Sequence, residues 1–215
     1  MATDLTQSER IIRELAKRTK VIAFDNRGVG RTDKPDLPYS IDLMADDTAG
    51  LLAALGIERA HVLGISMGGR VAVALALRYP ARVRSLILVS TSVKRIPINW
   101  WRRLIFLIPR IPVLGTLGDR YPQPYYAFAR QRDASRAYDA ADRIHEVRVP
   151  TLILHGKSDR VAPYRLAEEM HAGIRGSKLI AFDGGHLFPF FQQPRFLKAV
   201  LDFVESLAAG SSNGG

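Results

Sequence analysis

The chain has 215 residues, enough for one large domain and not comfortably two. It is 47% apolar and 24% charged, so a sizeable core can be buried, and it holds no cysteine, which excludes a disulfide framework, a thiol nucleophile and a cysteine-ligated metal. The net charge of +10 comes from scattered Lys and Arg without a long basic run or a nucleic-acid motif, so nucleic acid is not expected as a partner.

The opening "MATDLTQSERIIRELAKRTK" is polar and has no apolar leader core. With no cysteine to suggest an oxidising compartment, the chain reads as cytoplasmic. No stretch approaches the roughly 20 apolar residues of a membrane span.

In chain order, "TQSERIIRELAKR" predicts a helix, with capping-box spacing from Thr6 to Glu9 and an apolar face of Ile11, Ile12 and Leu15. "KVIAFD" predicts a short strand, and "NRGVGRTDKPDLPYS" a loop rich in turn formers. Residues 42–55 predict a helix closed by Gly56. "AHVLGI" predicts a strand, and residues 67–79 a helix that stops before Pro80. "VRSLILVS", "TLILHG" and "SKLIAF" predict three more strands, and residues 163–172 and 193–208 two more helices.

Five apolar strands separated by helices imply an α/β fold. Its sheet is mostly parallel, covered by helices on both faces and joined by right-handed crossovers. Residues 1–92 and 146–208 make the expected core, and 209–215 a disordered tail. Residues 93–145 break the alternation, with both tryptophans and many prolines and arginines, and predict a small helical cap insertion. The prolines interrupt any long interfacial helix, so stable membrane insertion is not expected.

The stretch "HVLGISMGGRVAVALALRYP" places one serine, Ser66, between a predicted strand and a predicted helix in the pattern G-x-S-x-G. A sharp turn there lifts the hydroxyl clear of both elements. Small residues are expected at Gly64 and Gly68, where a Cβ would collide across the turn, and at Gly69 for close helix packing. The helix start supplies N–H groups and a favourable dipole, with the Met67 N–H as the first oxyanion donor.

A serine hydroxyl needs a base, and the base needs an orienting group. Of the five histidines, His61 opens a strand at the wrong end of the sheet. His145 ends the insertion, His155 reads as a packed residue at a strand end, and His171 as a solvated helix residue. His186, in "FDGGHLFPFFQQP", follows the last strand at the edge where Ser66 projects. Ligands bind at that edge in open α/β sheets. Asp159, in "LHGKSDRVAP", is the carboxylate from the neighbouring strand end, while the loop after "LILVS" offers Thr91 and Ser92 but no acid.

The blocks "VIAFDNRGVGRTDKP", "GISMGGRVAVALALRYP", "LILHGKSDRVAP" and "GGHLFPFFQQPRFLKAVLDFV" resemble, in order, those of the α/β-hydrolase superfamily. The resemblance is to its branch of small esterases, enol-lactonases and cofactor-free perhydrolases. It implies that Ser66 is the nucleophile, His186 the general base and then acid, and Asp159 its orienting carboxylate. It also implies a structural role for "DNRGVGRTD", with Arg27 paired inside the loop.

In that family a His-Gly-rich loop before the "VIAFD"-type strand supplies the second oxyanion N–H. Here only 20 residues precede Val21, so the first strands are absent and the chain reads as N-terminally shortened. By the family's strand order the lost strand lies between "VIAFD" and "HVLGI". Either those two pair directly, or a second copy completes the sheet as a homo-oligomer, or the sequence is truncated. Losing one oxyanion donor costs about 2.7–4 kcal/mol of transition-state stabilisation.

The expected activity is hydrolysis of carboxylic esters with small or medium acyl chains through an acyl-enzyme, without cofactor or metal. Trp100, Trp101, Phe106, Tyr125, Tyr126, Phe128 and Leu187 are the expected pocket residues. The alternatives are a non-catalytic small-molecule-binding protein, or lactonase or perhydrolase chemistry at the same site.

Overall fold

The computed structural model describes residues 5–95, 121 and 123–212, with side chains to residue 209. The chain forms two compact units. One draws on residues up to 40 and on 95–138, the other on residues 41–94 and 139 onward.

The second unit carries a four-stranded parallel sheet, formed by β1 (Ala60–Ile65), β2 (Val83–Val89), β3 (Thr151–Gly156) and β4 (Lys178–Phe182), in that spatial order. Registers run Leu63 to Ile87, Leu88 to Ile153 and Leu154 to Ile180. β2 and β3 are inner strands. All of β3, and β2 from Ser85 onward, are buried whichever way successive residues point, which requires cover on both faces and explains the apolar runs Leu86–Val89 and Leu152–Leu154. β1 lies at the sheet edge and is mostly half-buried.

The first helix of this unit spans Ile41–Ala54. Gly56 ends it in the left-handed region (φ 67°), and the Ile57 N–H donates back to the Leu52 carbonyl at 2.8 Å. The next helix, Met67–Arg78, starts on the residue after Ser66 and packs on β1 and β2. A further helix, Tyr164–Gly173, packs on β3 and β4. The last helix covers Gln193–Ser212, so the Leu207-Ala208-Ala209 run carries it beyond residue 208. Phe182, Phe188 and Phe196 stack and meet edge to face in a fully buried cluster beneath it.

In the first unit the expected helix is shorter. It spans Glu9–Ala16 after a 3₁₀ turn at Leu5–Ser8. The expected capping box does not form: Ser8 is the N-cap, makes no side-chain capping bond, and Glu9 pairs with Arg13.

The expected strand at "KVIAFD" is also absent. Residues 20–26 take no strand or helical conformation, so the described sheet has four strands, not five. The sequence has the composition of a strand, but a strand exists only with a ladder partner. The segment instead delivers Asp25 to the following loop. The Asp25 carboxylate accepts from the N–H groups of Leu5 (2.9 Å) and Arg31 (3.2 Å), and its carbonyl from the Thr32 hydroxyl (2.6 Å). Asp25 thus organises the turn. Arg27 itself lies over the Tyr39 ring at 5.9 Å.

Another helix of the first unit, Tyr125–Ala137, is tied to this loop region. The Tyr126 hydroxyl donates to the Lys34 carbonyl at 2.6 Å, and the Gln131 amide to the Arg27 carbonyl at 2.6 Å. Among the described residues, no helix is long and apolar enough to cross a membrane.

Candidate active site

Ser66 occupies the single-residue turn between β1 and the helix Met67–Arg78, at φ 55° and ψ −116°. A non-glycine residue rarely adopts this region, and it does so where surrounding structure holds it there. Here the Ser66 N–H donates to the Val89 carbonyl at 2.8 Å, and the Gly69 N–H to the Ser66 carbonyl at 3.0 Å.

A Cβ on Gly64 would lie 2.3 Å from the Gly68 carbonyl oxygen, and one on Gly69 would lie 2.5 Å from the Thr91 side chain. A Cβ on Gly68 would meet nothing within 4 Å among the described residues. The steric demand expected at Gly64 and Gly68 therefore falls on Gly64 and Gly69. The reason is directional: the Gly64 Cα–H points at the main chain of Gly68 and Gly69 at the helix start.

Met67 opens the helix. Its N–H is one of the first-turn donors that have no intrahelical acceptor, and it sits beside the Ser66 hydroxyl at the positive end of the helix dipole.

His186 follows Gly184 and Gly185 in the loop after β4, and Asp159 lies in the loop after β3. The His186 Nε2 is 3.0 Å from the Ser66 Oγ, and its Nδ1 is 2.8 Å from the Asp159 Oδ2. An ionised carboxylate can only accept, so Nδ1 carries the proton and Nε2 accepts from the serine hydroxyl. Three side chains separated by up to 120 positions thus meet in one hydrogen-bonded relay at the carboxyl ends of the strands. Ser66 and His186 are partly exposed, while Asp159 is buried.

Burial alone would raise the Asp159 carboxyl. It is outweighed by hydrogen bonds from His155 and His186 and from the Ala162 N–H, which hold the group well below the usual carboxylate range. Its Oδ1 accepts from the Val161 N–H at 2.7 Å and the Ala162 N–H at 2.9 Å. The acid is therefore ionised at neutral pH and locked in orientation.

His155 was legible only as a packed residue, and packed it is, with a fully buried side chain. Its Nε2–H donates to the Ala162 carbonyl at 2.7 Å and lies 3.3 Å from the Asp159 Oδ2. Its spacing of four from Asp159, across the strand end, was the available signal for this second contact.

Two further hydroxyls reach the relay through its main chain. The Ser90 Oγ donates to the His186 carbonyl at 2.9 Å, and the Thr91 Oγ1 to the Ser66 carbonyl at 2.6 Å. No sequence pattern marks them, because both partners are distant main-chain atoms.

The remaining histidines stand apart from this relay. The His61 Nδ1 is 2.8 Å from the Ser85 Oγ, and burial together with Arg84 lowers its pKa. The His171 Nδ1 is 2.8 Å from the Ser177 Oγ. His145 is exposed in a 3₁₀ turn. Of the expected pocket residues, Leu187 follows His186 and is exposed. Tyr125 and Tyr126 are exposed and Phe128 half-buried, all on the helix Tyr125–Ala137 of the other unit. Trp100, Trp101 and Phe106 lie outside the described residues.

Comparison with known proteins places the chain in a family. The family model described as alpha/beta hydrolase fold matches residues 3–111, and that described as serine hydrolase (FSH1) matches residues 61–195. The chain belongs to the alpha/beta hydrolase superfamily. It is 32% identical to a 2-hydroxymuconate semialdehyde hydrolase of Pseudomonas sp. (strain CF600), with 94% of this chain and 82% of that protein covered. The enol-lactonase from Burkholderia xenovorans LB400 superposes with a TM-score of 0.83 at 27% identity, over 95% of this chain and 88% of that one. A thermophilic esterase from Thermogutta terrifontis gives a TM-score of 0.81 at 26% identity, over 95% and 86% of the two chains.

Proposed function

We propose that this protein is a serine hydrolase that cleaves carboxylic esters of small or medium acyl chains through an acyl-enzyme. The observation that carries the reading is the relay from Ser66 through His186 to Asp159, with both hydrogen bonds within 3.0 Å. The relatives include proteins described as an esterase and an enol-lactonase, and a lactone is a cyclic ester that opens by the same acyl transfer.

The His186 Nε2 takes the proton from the Ser66 Oγ as that oxygen attacks the ester carbonyl carbon. The oxyanion that forms accepts from the Met67 N–H at the helix start. His186, now an imidazolium held by the Asp159 carboxylate, gives its proton to the leaving alcohol, and the acyl group stays on Ser66. Water then attacks the acyl-enzyme by the same steps, freeing the acid and restoring the serine. Hydrogen peroxide in place of water would give the peracid.

Purified protein is assayed with p-nitrophenyl acetate and butyrate beside the Ser66→Ala variant. Release of p-nitrophenol above background in the parent, and none above background in the variant, is the expected result. Equal rates in both would leave a non-catalytic binding protein as the better description.

A further inference from the structure

The dipeptide that ends the second strand of the sheet touches both halves of the relay through their main chains. Ser90 and Thr91 follow Val89 and are almost fully buried, at 0% and 2% exposure. The Ser90 hydroxyl donates to the His186 carbonyl, and the Thr91 hydroxyl to the Ser66 carbonyl. The same strand end is fixed on both sides, since Val89 accepts from the Ser66 N–H and the Ser90 N–H donates to Leu154 at 3.0 Å.

Ser90 adopts φ 46°, a left-handed conformation that glycine takes more readily than serine. Glycine would remove the strain, but it would also remove the hydroxyl donor to His186. The base loop has need of such a donor. It reaches the site behind two glycines, with Gly184 at φ 112°, and glycine leaves the chain many conformations to lose.

We infer that Ser90 and Thr91 are positioning residues, whose hydroxyls tie the main chain at His186 and at Ser66 to one strand end and so hold Nε2 within reach of Oγ. The inference rests on the ester-hydrolase reading for its kinetic consequence, but not for its geometric one. A displacement of the imidazole by even a fraction of an ångström weakens proton transfer far more than it weakens binding of an ester. The clamp therefore acts on kcat. A merely structural role, satisfying two buried carbonyls, would instead lower thermal stability and leave turnover per folded molecule intact.

The test uses the full chain with Ser90→Gly, Thr91→Val and Thr91→Ser, alongside Ser66→Ala. Ser90→Gly keeps the backbone conformation and deletes the donor. Thr91→Ser keeps the donor at a site where Thr91→Val removes it without changing shape. Expected in Ser90→Gly and Thr91→Val is a fall in kcat on p-nitrophenyl butyrate of about tenfold or more, with KM within about threefold. Thr91→Ser stays near the parent. The downfield proton resonance of the His186 Nδ1–H, sharp in the parent, broadens or disappears in Ser90→Gly.

The clamp is overturned if Ser90→Gly retains parental kcat and the resonance, or if Thr91→Ser is as impaired as Thr91→Val. Were Ser66→Ala to turn over ester like the parent, the ester reading would fall. The resonance in Ser90→Gly would still decide the clamp.

Discussion

"VIAFD" and "HVLGI" are alike as sequences: each is a short apolar run leading into a glycine-rich turn. Only the second is a strand. Residues 60–65 pair along their length with residues 83–89, and the Ser66 N–H continues that pairing into the turn. Residues 21–25 have no ladder partner among the described residues, leave Ile22 and Ala23 exposed, and end in an aspartate that collects hydrogen bonds from the loop it enters. The difference teaches that apolar composition makes a segment able to be a strand, while a neighbour makes it one. It also explains where chemistry can sit. A paired strand can hold its tip in a strained turn, as at Ser66, because the ladder behind it fixes the direction of approach.

The largest expected effect concerns the ladder-held site. Asp159→Asn replaces an acceptor-only group with one that can present an N–H to the His186 Nδ1, which favours the wrong tautomer. A loss in kcat of about 10⁴-fold is expected, with the fold retained. Its stability consequence has a definite sign. The carboxyl of Asp159 is held below the usual range in the folded chain, so its contribution is present above the unfolded-state pKa of about 3.9. That contribution is lost as pH falls through the lower folded value. Urea unfolding of the parent and Asp159→Asn should therefore show a gap at pH 7 that narrows in strong acid. A gap that widened in acid would mean that the carboxylate is not stabilised by its donors.

Next in size is a contrast within the turn itself. Gly64→Ala drives a Cβ into the main chain at Gly68 and Gly69, and costs about 3 kcal/mol or prevents the elbow from forming. Gly68→Ala meets open space among the described residues, and should change stability by no more than about 0.5 kcal/mol. Thermal melts of the two variants read the contrast directly. Equal destabilisation would show that the symmetric pentapeptide pattern, rather than one close approach, sets the glycine requirement.

These same residues mark how far the sequence could be read. Ser66, Asp159 and His186 were legible because each lies just past a recognisable strand, and strand order puts those ends on one rim. The parallel sheet is legible in the runs Leu86–Val89 of β2 and Leu152–Leu154 of β3, which are apolar on both faces. The collision expected at Gly68 is not found among the described residues, because a motif does not say which way its Cα–H bonds point. The roles of Ser90 and Thr91 are not legible in the sequence, because their hydroxyls serve carbonyls 96 and 25 positions away. "KVIAFD" has the sequence of a strand and does not form one, because strand formation depends on a partner that local sequence cannot supply.

A last contrast tests the comparison at its root. Leu88 lies in β2 at 0% exposure, between two strands, and Leu88→Ala should cost about 2–5 kcal/mol. Ile22 is 37% exposed and has no ladder partner, so Ile22→Ala removes little buried surface and should cost under about 1 kcal/mol. Denaturant midpoints measured side by side give the ratio. If Ile22→Ala proved as costly as Leu88→Ala, the segment would have to be buried like an inner strand in solution.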